Sequence, residues 1–245
     1  MAEGEPPILS SVDGAVRHLV LNRPSRLNAF TAVSYRALAR LLREAEDDPG
    51  AHVVVLRGNG RAFCSGVDLD SMAAAAEGPE LAASFDDLIG TLVGFTKPLV
   101  AAAHGSAVGF GATILLHCDV VFMAHGTRLR FPFTSLRTVP EAGSSVLLPA
   151  LVGPQHAAAL LYTSRWIEDT EALALGLAYA LCPPDLLVTE ATQLARSIAA
   201  EPPAAVMAAK TLLRAVSTDS VSAALRRERD AARALKEQLG PRRLE

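Results

Sequence analysis

The sequence predicts an α/β fold built on a largely parallel sheet. Three observations carry that reading. β-rich and helix-patterned segments alternate over the first two-thirds of the chain. Two short runs, residues 53–56 and 99–103, are apolar throughout, as strands buried on both faces are. After Pro140 the pattern turns to helical spacing.

Taken in order, residues 8–12 and 15–21 are β-rich and flank Asp13-Gly14, a hairpin signal. Asn22-Arg-Pro-Ser25 interrupts the pattern. Residues 31–46 carry helical spacing, with Val33, Ala37, Leu38, Leu41 and Leu42 expected on one face, and Asp48-Pro49-Gly50 ends the helix. Residues 81–95 read as a helix, 109–117 as a short buried helix and 119–124 as a strand. Helices are then expected at 143–151, 155–162, 170–176, 185–200, 203–216 and 219–238. The Ala-rich stretch 73–76, followed by Gly78-Pro79, is expected to be a mobile loop.

A chain of 245 residues fits one large α/β domain with a helical appendix, here divided into a core of 1–190 and a C-terminal helical region of 191–245. Half the chain is apolar but only 5% is aromatic, so Ala, Leu and Val must build the core. A net charge of −3 with scattered basic residues gives no electrostatic case for binding nucleic acid or an anionic membrane. Arg226, Arg227 and Arg229 share their stretch with Glu228 and Asp230, which reads as a solvated helix face. No run approaches the roughly 18 apolar residues that span a bilayer. The N-terminus lacks the pattern of a secretory signal, and the C-terminal GPRRLE is not the peroxisomal tripeptide. Cys64, Cys118 and Cys182 are widely spaced among apolar residues and read as inert buried thiols, consistent with a reducing, cytoplasmic location. His18, His52, His117, His125 and His156 show no ligand spacing, so no metal is assigned. The Ser10–Ser11 and Ser144–Ser145 pairs lack the context of a hydrolase nucleophile.

Three stretches stand out chemically. Arg61-Ala-Phe-Cys-Ser-Gly-Val-Asp-Leu69 follows a buried strand, and its glycine allows backbone to approach a ligand closely. Ala103-His-Gly-Ser-Ala-Val-Gly-Phe-Gly111 joins a buried strand to a buried helix and aims N–H groups at the helix start, where negative charge is stabilised. It lacks the Lys-Ser/Thr pair of a phosphate loop. Phe131-Pro-Phe-Thr-Ser-Leu-Arg-Thr-Val-Pro-Glu-Ala-Gly-Ser-Ser145 places one carboxylate, Glu141, in apolar and hydroxylic surroundings. Taken singly, Asp68 reads as a helix cap and Glu141 as an acid complementing a helix N-terminus.

Together, in this order and spacing, the three segments resemble the crotonase superfamily. The first is similar to that family's A-F-x-x-G-x-D-L motif and the second to its N-G-x-A-x-G-G-G motif. The opening Asn22-Arg-Pro-Ser-Arg-Leu-Asn-Ala29 is similar to its N-R-P-x-x-x-N-A segment. The resemblance covers residues 8 to 230. It implies a superhelix of repeated ββα units with a helical C-terminal trimerisation region, as a homotrimer or dimer of trimers. It also implies an acyl-CoA substrate, with coenzyme A part of the substrate rather than a resident cofactor, and an oxyanion hole formed by the N–H groups of Val67 and Phe110. Contacts to the CoA ester are implied for Arg26, Leu27, Ala29, Ala62, Ser65, Gly66, Asp68, Leu69, Gly109 and Phe133.

Hydratases that resemble this chain carry two glutamates, at positions held here by Thr113 and Phe133. Neither side chain can activate water at neutral pH. Glu141, in V-P-E-x-G-S-S, instead matches the catalytic base of peroxisomal-type Δ3,Δ2-enoyl-CoA isomerases. The function implied is movement of a double bond from C3 to C2 of an enoyl-CoA, in fatty-acid or related acyl-CoA breakdown. Phe131, Phe133, Leu136 and Val139 are expected to edge the pocket. The alternatives are another crotonase reaction (hydration or ring-enoyl-CoA isomerisation) and a non-catalytic acyl-CoA-binding scaffold. Three departures from the family pattern stand out: Arg137 in place of glycine, where it could reshape the turn or pair with Glu141, His104 in place of asparagine, and an end soon after Leu239 where relatives continue with a helix closing the CoA pocket.

Overall fold

The computed structural model describes residues 5–68, 70–71 and 78–239. The loop expected at 73–76 lies outside them. The first half of the chain runs β1 (Ile8–Asp13), β2 (Val16–Leu21), α1 (Ala32–Asp47), β3 (Val53–Gly58), α2 (Gly78–Gly94), β4 (Leu99–Ala103), β5 (Ser106–Val108) and α3 (Phe110–Thr113). The second half runs β6 (Val120–Ala124), β7 (Arg128–Arg130), α4 (Ser144–Val152), α5 (Pro154–Thr163), β8 (Trp166–Glu168), α6 (Asp169–Ala174), β9 (Ala180–Cys182), α7 (Leu187–Ala199) and α8 (Pro203–Leu239). The unit strand–strand–helix recurs as β1–β2–α1, β4–β5–α3 and β6–β7–α4.

The main sheet has the order β1-β2-β3-β4-β6-β9. β1 and β2 pair antiparallel across the expected hairpin, and every later strand adds in parallel. A second sheet, β5-β7-β8, lies beside it. Both faces of the main sheet are apolar, which is why its strands read as continuous hydrophobic runs. Leu19, Leu21, Val54, Leu56, Ala101, Ala103, Val121 and Met123 point into a large core shared with α1 and α2. The alternate residues Val53, Val55, Val100, Ala102 and Phe122 meet Leu187, Ala191 and Ala195 of α7 on the opposite face. α7 straddles residue 190, the boundary expected between core and helical region.

Thr31 caps α1, its hydroxyl accepting from the Ser34 N–H. The helix buries Tyr35, Leu38, Leu41 and Leu42, each contributing about 1.5–3 kcal/mol by transfer from water. Val33, expected on that face, is instead 55% exposed, because the buried stripe is centred on Tyr35, Leu38 and Leu42. The three-residue strands β5, β7, β8 and β9 escape the sequence, being too short to show a period of two. The two helices expected across 203–238 form one. It is fastened to the sheet by an ion pair between Lys210, 7% exposed, and Asp119, at 2.8 Å. No helix among the described residues is long and apolar enough to cross a membrane.

Candidate active site

The site is assembled on residues 64–68, which lie between two other segments. On one side the Phe30 N–H donates to the Gly66 carbonyl (2.7 Å) and the Asp68 N–H to the Phe30 carbonyl (2.8 Å). This pairing, parallel at Phe30 and Val67, leaves the Val67 N–H outside it. On the other side Cys64 pairs with Ala107, through Cys64 N–H to the Ser106 carbonyl and Val108 N–H to the Cys64 carbonyl. Two glycines allow this contact. Gly66 has φ +98°, and a Cβ there would sit 2.8 Å from the Val108 oxygen and 3.6 Å from the Phe110 nitrogen. A Cβ on Gly111 would meet the Cys64 oxygen at 2.2 Å. The backbone of the Gly66–Val67 turn therefore lies directly against that of Phe110. As the first residue of α3, Phe110 has one of the N–H groups that a helix leaves without an internal partner. Val67 and Phe110 thus bring two N–H groups onto neighbouring backbones.

The opening segment braces this turn. Asn28, 2% exposed and at φ +56°, donates to the carbonyls of Asn59, Ala62 and Phe63 at 2.9, 2.9 and 3.1 Å, and accepts from the Arg23 N–H. Arg23 Nη1 reaches Asp68 at 3.0 Å. Asp68 also accepts from the Ser71 N–H at 3.2 Å, so it caps the next turn as its sequence position suggests. Burial pushes its carboxyl up, but the Ser71 and Arg23 hydrogen bonds and the nearby arginine charges outweigh burial and hold it below the usual range. Ser65 donates its N–H to the Leu27 carbonyl, while Ala29 and Ala62 are buried in the walls. Arg26 is exposed and pairs with Asp70 at 3.1 Å. Gly109 takes φ +55° immediately before α3. Leu69 lies outside the described residues.

Phe110 also carries the hydrophobic wall. Its ring centroid lies 4.8 Å from that of Phe30, 5.0 Å from Tyr35 and 5.7 Å from Phe85. The Tyr35 hydroxyl is buried with no hydrogen-bond partner among the described residues. Burial, then the charge of Glu141, then Cys64 push its pKa well up. Glu141 is thus close enough to act electrostatically on a ring packed against Phe110. Burial likewise pushes the Cys64 thiol up to about 12, against the Gly66 N–H bond that lowers it, so Cys64 is no nucleophile.

Glu141 lies on the loop before α4. Ala142 and Gly143, which follow it, take left-handed backbone at φ +58° and +74°. Thr113, at one hydratase glutamate position, is fully buried and donates its hydroxyl to the Phe110 carbonyl at 3.2 Å. Phe133, at the other, is 3% exposed with its ring 6.5 Å from that of Phe131. Leu136, expected at the pocket edge, is 40% exposed, on a turn where its N–H donates to the Pro132 carbonyl at 3.0 Å. Arg137 takes φ +53°, a left-handed conformation that explains why glycine suits the position. His104 is satisfied by the Gly60 carbonyl at 2.8 Å.

Two residues near Glu141 escaped the sequence reading. His117 Nε2 lies 2.8 Å from the Ala142 oxygen. Glu228, expected on a solvated face, is 8% exposed and accepts from the N–H groups of Gly143 and Ser145, both at 2.9 Å. The signal for Glu228 was there: it lies one and two turns beyond Ala224 and Val221 on the buried stripe of α8, where a lone carboxylate needs a partner.

The chain as a whole has counterparts among known proteins. The family model described as enoyl-CoA hydratase/isomerase matches residues 11–240. The chain is 32% identical over 229 residues to 1,2-epoxyphenylacetyl-CoA isomerase of Escherichia coli K12, covering 91% of this chain and 87% of that protein. It is 35% identical over 215 residues to 2,3-dehydroadipyl-CoA hydratase of the same organism, covering 86% and 83%. The crystal structure of an enoyl-CoA hydratase/isomerase from Pseudoalteromonas atlantica T6c superposes with a TM-score of 0.89 at 34% identity, covering 94% of this chain and 91% of that one. The same ββα superhelix and a family match over nearly the whole length place this chain in the enoyl-CoA hydratase/isomerase family, among the acyl-CoA enzymes of crotonase fold.

Proposed function

We propose that the protein is an isomerase that moves the double bond of a 3-enoyl-CoA to C2, with Glu141 as its base. The thioester oxygen rests on the N–H groups of Val67 and Phe110. Glu141 removes a proton from C2, the electrons spread over C2, C3, C4 and the thioester oxygen as a dienolate, and Glu141 returns the proton to C4 to give the trans-2-enoyl-CoA. One carboxylate suffices because C2 and C4 belong to one short allylic unit. Two well-aimed donors stabilise the developing oxyanion more than the ground-state carbonyl, and one such donor contributes about 3–4 kcal/mol.

The observation that carries this reading is the burial of Thr113 and Phe133 where hydratases that this chain resembles have glutamates, with Glu141 kept on the loop before α4. The packed rings of Phe30, Tyr35, Phe85 and Phe110 exclude water, which favours proton return over hydration. Coenzyme A enters as part of the substrate, against residues 26–29 and 62–68. Assembly as a trimer or dimer of trimers, in the cytoplasm, goes with this reading.

The test is a pair of assays on purified protein, with 3-hexenoyl-CoA and with crotonyl-CoA. Conversion of the first to the 2-enoyl ester without hydration of the second supports the isomerase. Hydration of crotonyl-CoA overturns the reading of Thr113 and Phe133. Failure on both, with CoA esters still bound, favours the scaffold. The relative named 1,2-epoxyphenylacetyl-CoA isomerase favours one second reading, a ring isomerisation using the same base, and product analysis with ring-bearing esters separates it.

A further inference from the structure

The loop that follows Glu141 is gripped from two directions by side chains outside the catalytic reading. Ala142 and Gly143 are both left-handed, so this turn is not held by local preference; an alanine at φ +58° is disfavoured on its own. His117, at the end of the helical segment that begins with Phe110, reaches the Ala142 carbonyl. Glu228 of α8, 85 residues along the chain from Gly143, takes the Gly143 N–H on Oε2 and the Ser145 N–H on Oε1. α8 also closes over the turn sterically: a Cβ on Gly143 would lie 2.8 Å from Val221 Cγ1. Beside Glu228, Arg229 pairs with Asp86 of α2 at 2.9 Å, an ion pair with both side chains about half exposed.

We propose that Glu228 is a positioning residue for Glu141: its carboxylate spans the Gly143 and Ser145 N–H groups and, with His117 on Ala142, fixes the turn that aims the base at the substrate. The inference rests on Glu141 being the base. A carboxylate bonded to two N–H groups at a helix start is a charge-assisted contact, and burial removes water as a competitor for those donors. The two anchors attach to different parts of the molecule. His117 refers the turn to the segment holding the oxyanion donor Phe110, and Glu228 refers it to the docked C-terminal helix. The distance between base and oxyanion hole is thereby set from both ends, and a base displaced by about 1 Å loses on the order of 100-fold in rate.

The experiment measures kcat and KM on 3-hexenoyl-CoA for Glu228→Ala, Glu228→Gln and Arg229→Ala in the full chain, with the folded fraction fixed by circular dichroism at the assay temperature and Glu141→Gln run alongside. Glu228→Ala is expected to lose about 10- to 100-fold in kcat with KM within about twofold. Glu228→Gln keeps one acceptor oxygen but turns its NH2 toward the other N–H, so it is expected to recover only part of that loss and to stay clearly below wild type. Arg229→Ala, which removes a solvent-screened ion pair next to Glu228 without touching the turn, is expected to leave kcat as it is. Wild-type kcat per folded molecule in both Glu228 variants, with only a lower Tm, overturns the proposal and makes Glu228 a structural cap. If Glu228→Ala does not fold, Glu228→Gln against Arg229→Ala decides alone: equal kcat in the two overturns it. Activity surviving in Glu141→Gln overturns the base assignment instead, so the two failures are told apart.

Discussion

His117 Nε2 lies 2.8 Å from the carbonyl oxygen of Ala142, the residue after Glu141. Only a protonated ring nitrogen can bond a carbonyl, so the neutral imidazole carries its hydrogen on Nε2. Burial brings the pKa down from 6.5 to about 4; the Ala142 bond raises it and the Arg214 charge lowers it further. In the unfolded chain the ring takes a proton as the pH falls through 6.5, while in the folded chain it does not until about 4. The stability from keeping it neutral is thus complete above pH 6.5 and is lost on descending to 4. Between pH 7 and 5 this amounts to about 2 kcal/mol. His117→Gln retains a donor but cannot titrate. Urea unfolding at both pH values should show wild type losing about 2 kcal/mol more than the variant, and equal losses would mean His117 is not the group that titrates.

Glu141→Gln keeps the size and polarity of the side chain and removes the base. The variant should lose about 100- to 10,000-fold in kcat on a 3-enoyl-CoA. Its affinity for a CoA ester should stay within a few-fold, as read by calorimetry. Undiminished turnover would remove Glu141 from the mechanism.

At Gly66 backbone angle and close contact act together. Gly66→Ala places a Cβ 2.8 Å from the Val108 oxygen on a φ of +98°, so the turn carrying the Val67 N–H must shift. A strained residue of this kind costs about 1–3 kcal/mol in stability. A displaced oxyanion donor costs about 100- to 1,000-fold in kcat. A variant with lower Tm but intact kcat would place the oxyanion donor elsewhere.

Tyr35 carries a hydroxyl that is buried without a hydrogen-bond partner among the described residues. Removing such a group restores nothing to water and leaves no other atom orphaned, so Tyr35→Phe should hold or raise stability by about 1 kcal/mol. Thermal unfolding checks this. A fall in Tm would show that the hydroxyl has a partner in solution.

The fold class, and the segments whose backbones meet around residues 64–68, were legible in the residues themselves. Apolar runs such as 53–56 and 99–103 have one low-energy fate, a strand covered on both faces, and α1 and α2 follow from helical spacing. The glycines of the first two motifs mark places where backbone must meet backbone. The structure shows the contacts they permit, Gly66 against Val108 and Gly111 against Cys64. Arg137 was noticed as a missing glycine, and its φ of +53° gives the reason.

What the sequence by itself determined is local chemistry: which segments are strands and helices, where N–H donors gather, and that Glu141 is a carboxylate in apolar surroundings. What only the tertiary structure decided is which distant groups meet. The three-residue strands β5 and β7–β9 exist because longer neighbours hold them in register, and so short a stretch carries no periodicity of its own. Val33 faces water because the helix is rotated to bury Tyr35. Glu228 changes from an apparent surface acid to a buried acceptor because the docking of α8 brings it to the start of α4. A side chain's pattern fixes its preference for burial, but its partner is set by packing among segments far apart in the chain, and that information lies in no single stretch of sequence.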